Sequence, residues 1–446
     1  MEQFPKTSIS TNFLLKFGIG SLSLGLIFGL IGSIQYMVPG FWKEIISFEK
    51  IRPLHVSSMV FWIILTSLGC VLAFVQEYAK QSLYSYLLFK IQNWLFGIAF
   101  ILIMLSYFAG KFGGREYWEF PPIISVLIIS AWILFAINFF KTIKDFKNLP
   151  VYVWMWMTGI FFFLFTFVES YLWVFSYFRN NIVNDMTIQW KSYGSMVGAW
   201  NMLMYGSGLF IMDKIKGDST YSKSKMAYLL YFTGLTNLMF NWGHHIYLLP
   251  THTYIKHISY IISMSELFIL GRIIYTWKSS VGEARKLYYS NSFKLLFCAD
   301  IWVFINLILA IIMSVPAFNL YTHGTHITVA HTMGTTIGIN TFLLMAFIYY
   351  IIQESKPLFT TNEKGFTKSL IAINISLLVF FLSFVGAGIH KSYWQMQQHQ
   401  SAFGDMMKGS HVYFIVMFIA GLGLTTSLLY FIYTYLFIGL ASKKKE

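Results

Sequence analysis

Hydrophobic positions in this chain come in long, nearly uncharged blocks, separated by short polar stretches in which lysine is frequent. Apolar runs of roughly 20 residues, the length an α-helix needs to cross a bilayer, begin near Phe13, Arg52, Tyr84, Pro121, Val151, Trp190, Lys225, Thr253, Ser292, Ile327, Lys368 and Gly409. The pattern predicts an all-α integral membrane protein built as a bundle of twelve transmembrane helices, one domain over residues 1–446. The first run is long, carries Lys16 and precedes no small-residue cleavage site, which predicts a retained helix and not a removed leader.

Composition agrees: 57% of residues are hydrophobic and 11% charged, so lipid is the expected solvent of most of the surface. The formal net charge is +14. Its basic residues are unevenly shared, with Lys141, Lys144, Lys147, Lys214, Lys216, Lys223, Lys364 and Lys368 falling on the side of both termini. By the positive-inside bias that side is cytoplasmic. Charge therefore reports topology and gives no support to nucleic-acid binding. Cys70 and Cys298 are solitary and lie inside predicted helices, which excludes a C-x-x-C-H attachment site; any c-type haem must belong to a partner subunit.

Candidate chemistry gathers at one depth. His55 opens the second run, His244 and His245 close the seventh, and His331 lies in the first turns of the tenth, all toward the non-cytoplasmic third. Ionisable and metal-ligating groups at membrane depth point to function, and haem iron is the most economical partner for imidazole and thioether groups held there. His331 and Met333 diverge by about 200° around a helix, so one helix can present ligands to two haems. His244 and His245 diverge by about 100°, which a relaxed helix end before Pro250 can bring onto a single non-haem ion. Two histidines with oxygen donors suit iron better than copper. Glu266, inside a predicted helix, is costly unless paired, protonated or metal-bound, and Arg272 is an alternative partner. His252, His257, His390, His399 and His411 fall near helix ends or in loops, where solvated or hydrogen-bonded roles are expected.

Five segments together resemble the haem-copper oxidase superfamily, and within it most closely the catalytic subunits of bacterial nitric oxide reductases. They are R-P-L-H-V at His55, G-R-E-Y-W-E-F-P from Gly114 to Pro121, W-G-H-H-I-Y at His244 and His245, S-M-S-E ending at Glu266, and T-H-G-T-H-I-T-V-A-H from Thr322 to His331. The resemblance covers nearly the whole chain and implies a subunit I-like fold, a low-spin haem b held by His55 and a high-spin haem b held by His331. It also implies a non-haem iron held by His244 and His245, with Glu266 beside it as ligand or proton donor. Glu116 would help hold a structural calcium and Arg115 would neutralise haem propionates.

Three departures mark the chain as divergent. Residues 190–213 contain no histidine where the family has its third iron ligand, offering instead Tyr193, Ser195 and Asn201, with Glu169 more distant. The usual glutamate of the sixth helix is missing. Met333 stands where the second low-spin haem histidine is expected, with His326 or His323 as alternatives. A His/Met pair would give the low-spin haem a higher reduction potential than a bis-His pair.

The expected function is reduction of two NO to N2O and water in a bacterial inner membrane, a small gaseous substrate, with electrons from a membrane-anchored c-type cytochrome subunit. The alternatives are an oxygen-reducing terminal oxidase, which a cross-linkable tyrosine near the metal would favour and Tyr247 alone does not, and a non-catalytic haem electron carrier. With no lysine in the middle of the eighth run, proton uptake from the outer side without pumping is the simpler expectation.

Overall fold

The computed structural model describes residues 8–265, 282, 289–356, 361–397 and 401–442. The longer helices are α1 (Ser8–Met37), α2 (Phe48–Ala79), α3 (Tyr86–Phe108), α4 (Ser125–Thr142), α5 (Val151–Glu169), α6 (Ile182–Lys216) and α7 (Lys225–Phe240). There follow α8 (residues 253–265 as described), α9 (Ser290–Ser314), α10 (His326–Ser355), α11 (Glu363–Met396) and α12 (His411–Ala441). No β-strand occurs among the described residues, only an isolated bridge between Arg115 and Trp118.

Among the described residues nine helices are long and apolar enough to cross a membrane: α1 to α5 and α9 to α12. The twelve expected spans are thus met by nine. Of the remainder, α6 is 35 residues long but too polar, α7 has 16 residues, or about 24 Å of helix, and the described part of α8 stops at residue 265. The polarity of α6 has a structural reason. Trp190, Tyr193, Val197, Asn201 and Tyr205, three to four residues apart, form one helical stripe that lines an internal cavity instead of facing lipid.

Burial separates centre from rim. In α2 and α10 the apolar stretch is 94% and 83% buried, against 33–56% in the other candidate spans. These two helices form the axis of the bundle, and they carry His55, His331 and Met333. Around them α1 packs on α2, α3 on α4, α5 on α6, α9 on α10 and α11 on α12. Local chemistry moves two expected helix starts. Asn181 caps α6 by accepting from the N–H groups of Val183 and Asn184, so the helix starts two turns before Trp190. Helix α2 likewise begins at Phe48, ahead of Arg52, with Pro53 early enough in it to be tolerated.

Helix α10 changes winding along its length. It is α-helical from His326 to Met333 and π-helical from Gly334 to Thr341, then α-helical again to Ser355. The wide turn is favoured by two glycines against α9: a Cβ at Gly338 would lie 2.6 Å from the Trp302 ring, and Asn306 presses on Gly334 in the same way. Asn306 also donates to Thr335 Oγ1 at 2.7 Å, and Thr335 Oγ1 donates to the His331 carbonyl at 3.1 Å. A π segment directly after His331 and Met333 is the kind of irregularity that accompanies functional sites.

Candidate functional site

One internal cavity of about 640 Å³ brings together His55, His244, His245, His323, His331 and Met333, with His326 also on its wall. Residues spread over 278 positions of sequence thus share one space, the size expected of a built ligand site.

His55 is prepared on one ring edge. Its Nδ1 stands 2.7 Å from the Gly25 carbonyl oxygen, an acceptor, so Nδ1 carries the proton and Nε2 is left as the ligating nitrogen. Gly29 makes room for that ring, since a Cβ there would lie 2.8 Å from Nδ1 and 2.9 Å from Cε1. The arrangement fits a haem ligand: a fixed tautomer, an oriented ring and a side-chain-free helix surface beside it.

Depth along the axis can be read from three rungs. Tyr36 of α1 lies edge-on to His326, with ring centroids 5.7 Å apart. Gly25 and Gly29 meet His55. Gly18 packs on Trp62, whose indole donates to Thr341 at 3.0 Å. Helices α1 and α10 therefore run in opposite directions, and the seven residues from Tyr36 back to Gly29 match the seven from His326 to Met333, roughly 10 Å in each case. Met333 is at the level of His55, whereas His326 is two turns farther out, packed among Tyr36, Phe384 and Phe414 of α1, α11 and α12.

His244 and His245 sit in a 3-10 turn, Asn241–Ile246, that continues α7. Their ring centroids are 4.2 Å apart. Asn241 anchors the turn: its carbonyl accepts from Ser259 Oγ at 2.7 Å, and its side-chain oxygen binds Ser263 Oγ and lies 3.1 Å from His244 Nδ1. That carboxamide fixes the His244 tautomer, a part that the N-W-G-H-H spacing alone does not reveal. His245 stacks on Trp190 of α6, centroids 4.8 Å apart and planes 11° from parallel. Its Nδ1 is buried without a hydrogen-bond partner among the described residues, whereas the His331 ring has the Asn306 backbone within reach. An orphaned buried nitrogen on a residue that lines the cavity fits metal ligation, because otherwise it is costly. Among the described residues no three His, Cys, Asp or Glu side chains already converge on one ion position. Glu266 and Arg272 lie outside the described residues.

The charged loop between α3 and α4 departs from the expected pairing. Arg115 donates to Asp185 at 2.8 Å and lies over the Trp173 ring at 4.7 Å. Glu116 binds Arg52 at 2.8 Å, and Glu119 binds the same guanidinium at 2.6 Å. Arg52 and Glu116 line the cavity; Arg115 does not appear on its wall. Burial raises the Glu119 carboxyl above its ordinary value, and Arg52 opposes that shift. Arg52 was visible in R-P-L-H, but only the fold turns it toward the cavity.

Other expected candidates fall into structural roles. Glu169 is held by Lys191. His390 pairs with Ser410 at 2.8 Å and His411 with the Met37 carbonyl at 2.9 Å. The hydroxyl of Tyr247 donates to the Ser314 carbonyl at 3.2 Å.

Comparison with known proteins gives a consistent picture. Residues 11–423 match the family model described as cytochrome C and quinol oxidase polypeptide I. The chain is 23% identical to a nitric oxide reductase subunit of Stutzerimonas stutzeri, over 92% of this chain and 90% of that one. It is 21% identical to the Cbb3-type cytochrome c oxidase subunit CcoN1 of the same organism, over 79% and 78%. A heme-copper terminal oxidase dimer solved by cryo-EM superposes with a TM-score of 0.75 at 13% identity, covering 99% of this chain and 86% of that one.

Proposed function

This chain belongs to the cytochrome c and quinol oxidase polypeptide I family of the haem-copper oxidase superfamily, membrane oxidoreductases that bind haem and a further metal centre, and from that premise we propose that it is a nitric oxide reductase catalytic subunit. The observation that carries this reading is the His244–His245 pair sharing one cavity with His331, with the neighbouring Tyr247 hydroxyl spent on a backbone carbonyl and absent from the cavity wall. Tyr36, Tyr117, Tyr193 and Tyr205 do line that space, from α1, the α3–α4 loop and α6, but none comes from the turn that carries the histidine pair. Likeness to the Stutzerimonas nitric oxide reductase subunit along nearly the whole chain supports the same choice.

The residues divide the work. His55 and Met333 are proposed to hold the low-spin haem b, supported by their common depth and by the outward displacement of His326. His331 is proposed to hold the high-spin haem b, and His244 with His245 the non-haem iron. When bound, these groups supply two electrons and two adjacent sites for nitrogen, so that two NO, two electrons and two protons give N2O and water. Asn241 orients His244, and Trp190 fixes the plane of His245. Arg52, held by Glu116 and Glu119, is proposed as the cation that balances haem carboxylates, the part the family resemblance implied for Arg115. A calcium at Glu116 rests on resemblance only. Glu266 follows the cavity-lining Ser263 by three positions and is proposed as iron ligand or proton donor. The electron donor is proposed to be a membrane-anchored c-type cytochrome, since no haem-attachment motif is present in the chain.

Anaerobic NO consumption and oxygen consumption, measured on the same purified complex with its metals, test the reading. Two haems, about one non-haem iron and preferential NO turnover are expected. Stoichiometric copper with faster oxygen turnover would replace this reading by a terminal oxidase, and haem without a second metal by an electron carrier.

A further inference from the structure

Helix α6 supplies no histidine, yet a third imidazole reaches the His244–His245 pair from another direction. His323 closes the short helix Pro316–Thr322, and its ring centroid is 5.8 Å from that of His245. Trp190 touches both, stacked on His245 and edge-on to His323 at 5.8 Å. A metal–nitrogen bond of about 2.1 Å puts an imidazole centroid roughly 3.2 Å from the ion, so two rings sharing an ion stand about 4–6 Å apart for bond angles of ~80–130°. The observed 4.2 and 5.8 Å both fall in that range.

The nitrogens are available. His323 Nε2 and His245 Nδ1 are buried with no hydrogen-bond partner among the described residues, so neither is committed elsewhere. The backbone of His323 is fixed. Asn319 donates to the His244 carbonyl at 3.2 Å and to the Met313 carbonyl at 3.0 Å, tying the short helix to the histidine pair itself. Its own carbonyl accepts from the His323 N–H at 3.0 Å. On the other flank, Ser392 and Lys391 of α11 donate to the carbonyls of Tyr321 and Gly324 at 2.9 and 3.1 Å. Gly324 has φ +73°, a left-handed turn that sends the chain from His323 into α10 and that other residues adopt only under strain.

We propose that His323 is the third imidazole ligand of the non-haem iron, supplied by the segment between α9 and α10 in place of a ligand from α6. The inference rests on the assignment of His244 and His245 to that metal. It gives the first half of T-H-G-T-H a metal-binding role, distinct from that of His326, which packs on the α1, α11 and α12 side.

The test uses the purified, haem-loaded complex. Non-haem iron is removed with a chelator and Fe(II) alone is titrated back into wild type, His323→Ala, His323→Glu, His326→Ala and His244→Ala, with haem content and low-spin spectrum recorded for each. His323→Ala is expected to bind Fe(II) at least tenfold more weakly with both haems and the low-spin spectrum intact, and His323→Glu, which restores a donor, to recover most of that affinity. His326→Ala should bind like wild type. If His323→Ala binds Fe(II) normally while His244→Ala does not, the third ligand is elsewhere and the proposal fails while the underlying site stands. Normal binding by His244→Ala as well would remove both. A changed low-spin spectrum with normal Fe(II) binding in His323→Ala would make His323 a haem ligand and also overturn the proposal.

Discussion

At the scale of single residues the site depends on contacts with no slack. Gly29→Ala would place a methyl 2.8 Å from His55 Nδ1, and the ring must move or lose its bond to the Gly25 carbonyl. Overpacking of this kind costs about 1–3 kcal/mol. The expected outcome is depleted low-spin haem with the high-spin haem retained, read from reduced-minus-oxidised spectra; a normal low-spin band would mean that His55 is not that ligand. Met333 offers a two-way test. Met333→Ala should alter only the low-spin spectrum, and Met333→His should lower its midpoint potential, because thioether ligation favours the reduced haem relative to a second imidazole. An unchanged potential in Met333→His would move the ligand to His326. Arg52→Met removes the cation that opposes burial at Glu119. With the folded-state value raised further above the unfolded one, the native state binds the proton more tightly, so stability should fall as pH rises through the Glu119 titration. Thermal melts at several pH values check the sign, and a pH-independent difference from wild type would exclude it.

At the scale of elements, irregular segments do what regular helices cannot. The 3-10 turn after α7 brings two adjacent imidazoles to 4.2 Å, although ideal α-helical neighbours diverge by about 100°. The π segment of α10 opens the backbone below His331 and Met333, where Gly338 meets Trp302 and Gly334 meets Asn306. Gly338→Ala forces α9 and α10 apart. Partial loss of both haems and lower thermal stability are expected together, since His331 and Met333 share this helix; loss confined to one haem would show that the two ligands are held independently. A relaxed helix end before Pro250 was legible in the sequence, though not its 3-10 winding, and the π segment was not legible at all. Hydrophobic periodicity reports which face is apolar, whereas the choice of winding depends on which neighbour presses on a glycine.

At the scale of the whole molecule, polarity is segregated along the axis. The cavity ends near Ile63 on α2 and Asn340 on α10. Beyond it, residues 68–75 and 342–348 of these helices carry no charged or hydrogen-bonding side chain other than Cys70, and most are wholly buried. Only past this layer does a polar cluster begin, where Glu77 pairs with Lys214 at 2.6 Å and accepts from Tyr350 at 3.2 Å. An apolar layer of seven or eight residues, roughly 10–12 Å on each central helix, obstructs proton transfer from that end. In vesicles of known orientation, NO turnover is therefore expected to draw protons from the face bearing His323 and to leave pH beyond Tyr350 unchanged. Alkalinisation first appearing on the Tyr350 side would refute that route.

Apolar blocks and scarce charge determined the membrane class and most helix positions, because burial in lipid requires long runs whatever their neighbours are. The candidate ligands His55, His244, His245 and His331 stood out equally, since such groups at membrane depth demand a reason, and the fold gathers them on one cavity. Three-dimensional packing decided the rest. It paired Arg115 with Asp185 and turned Arg52 to the cavity, set Met333 level with His55 and His326 two turns away, and carried His323 to His245. Those distinctions depend on distances between residues far apart in the chain, which no local pattern encodes.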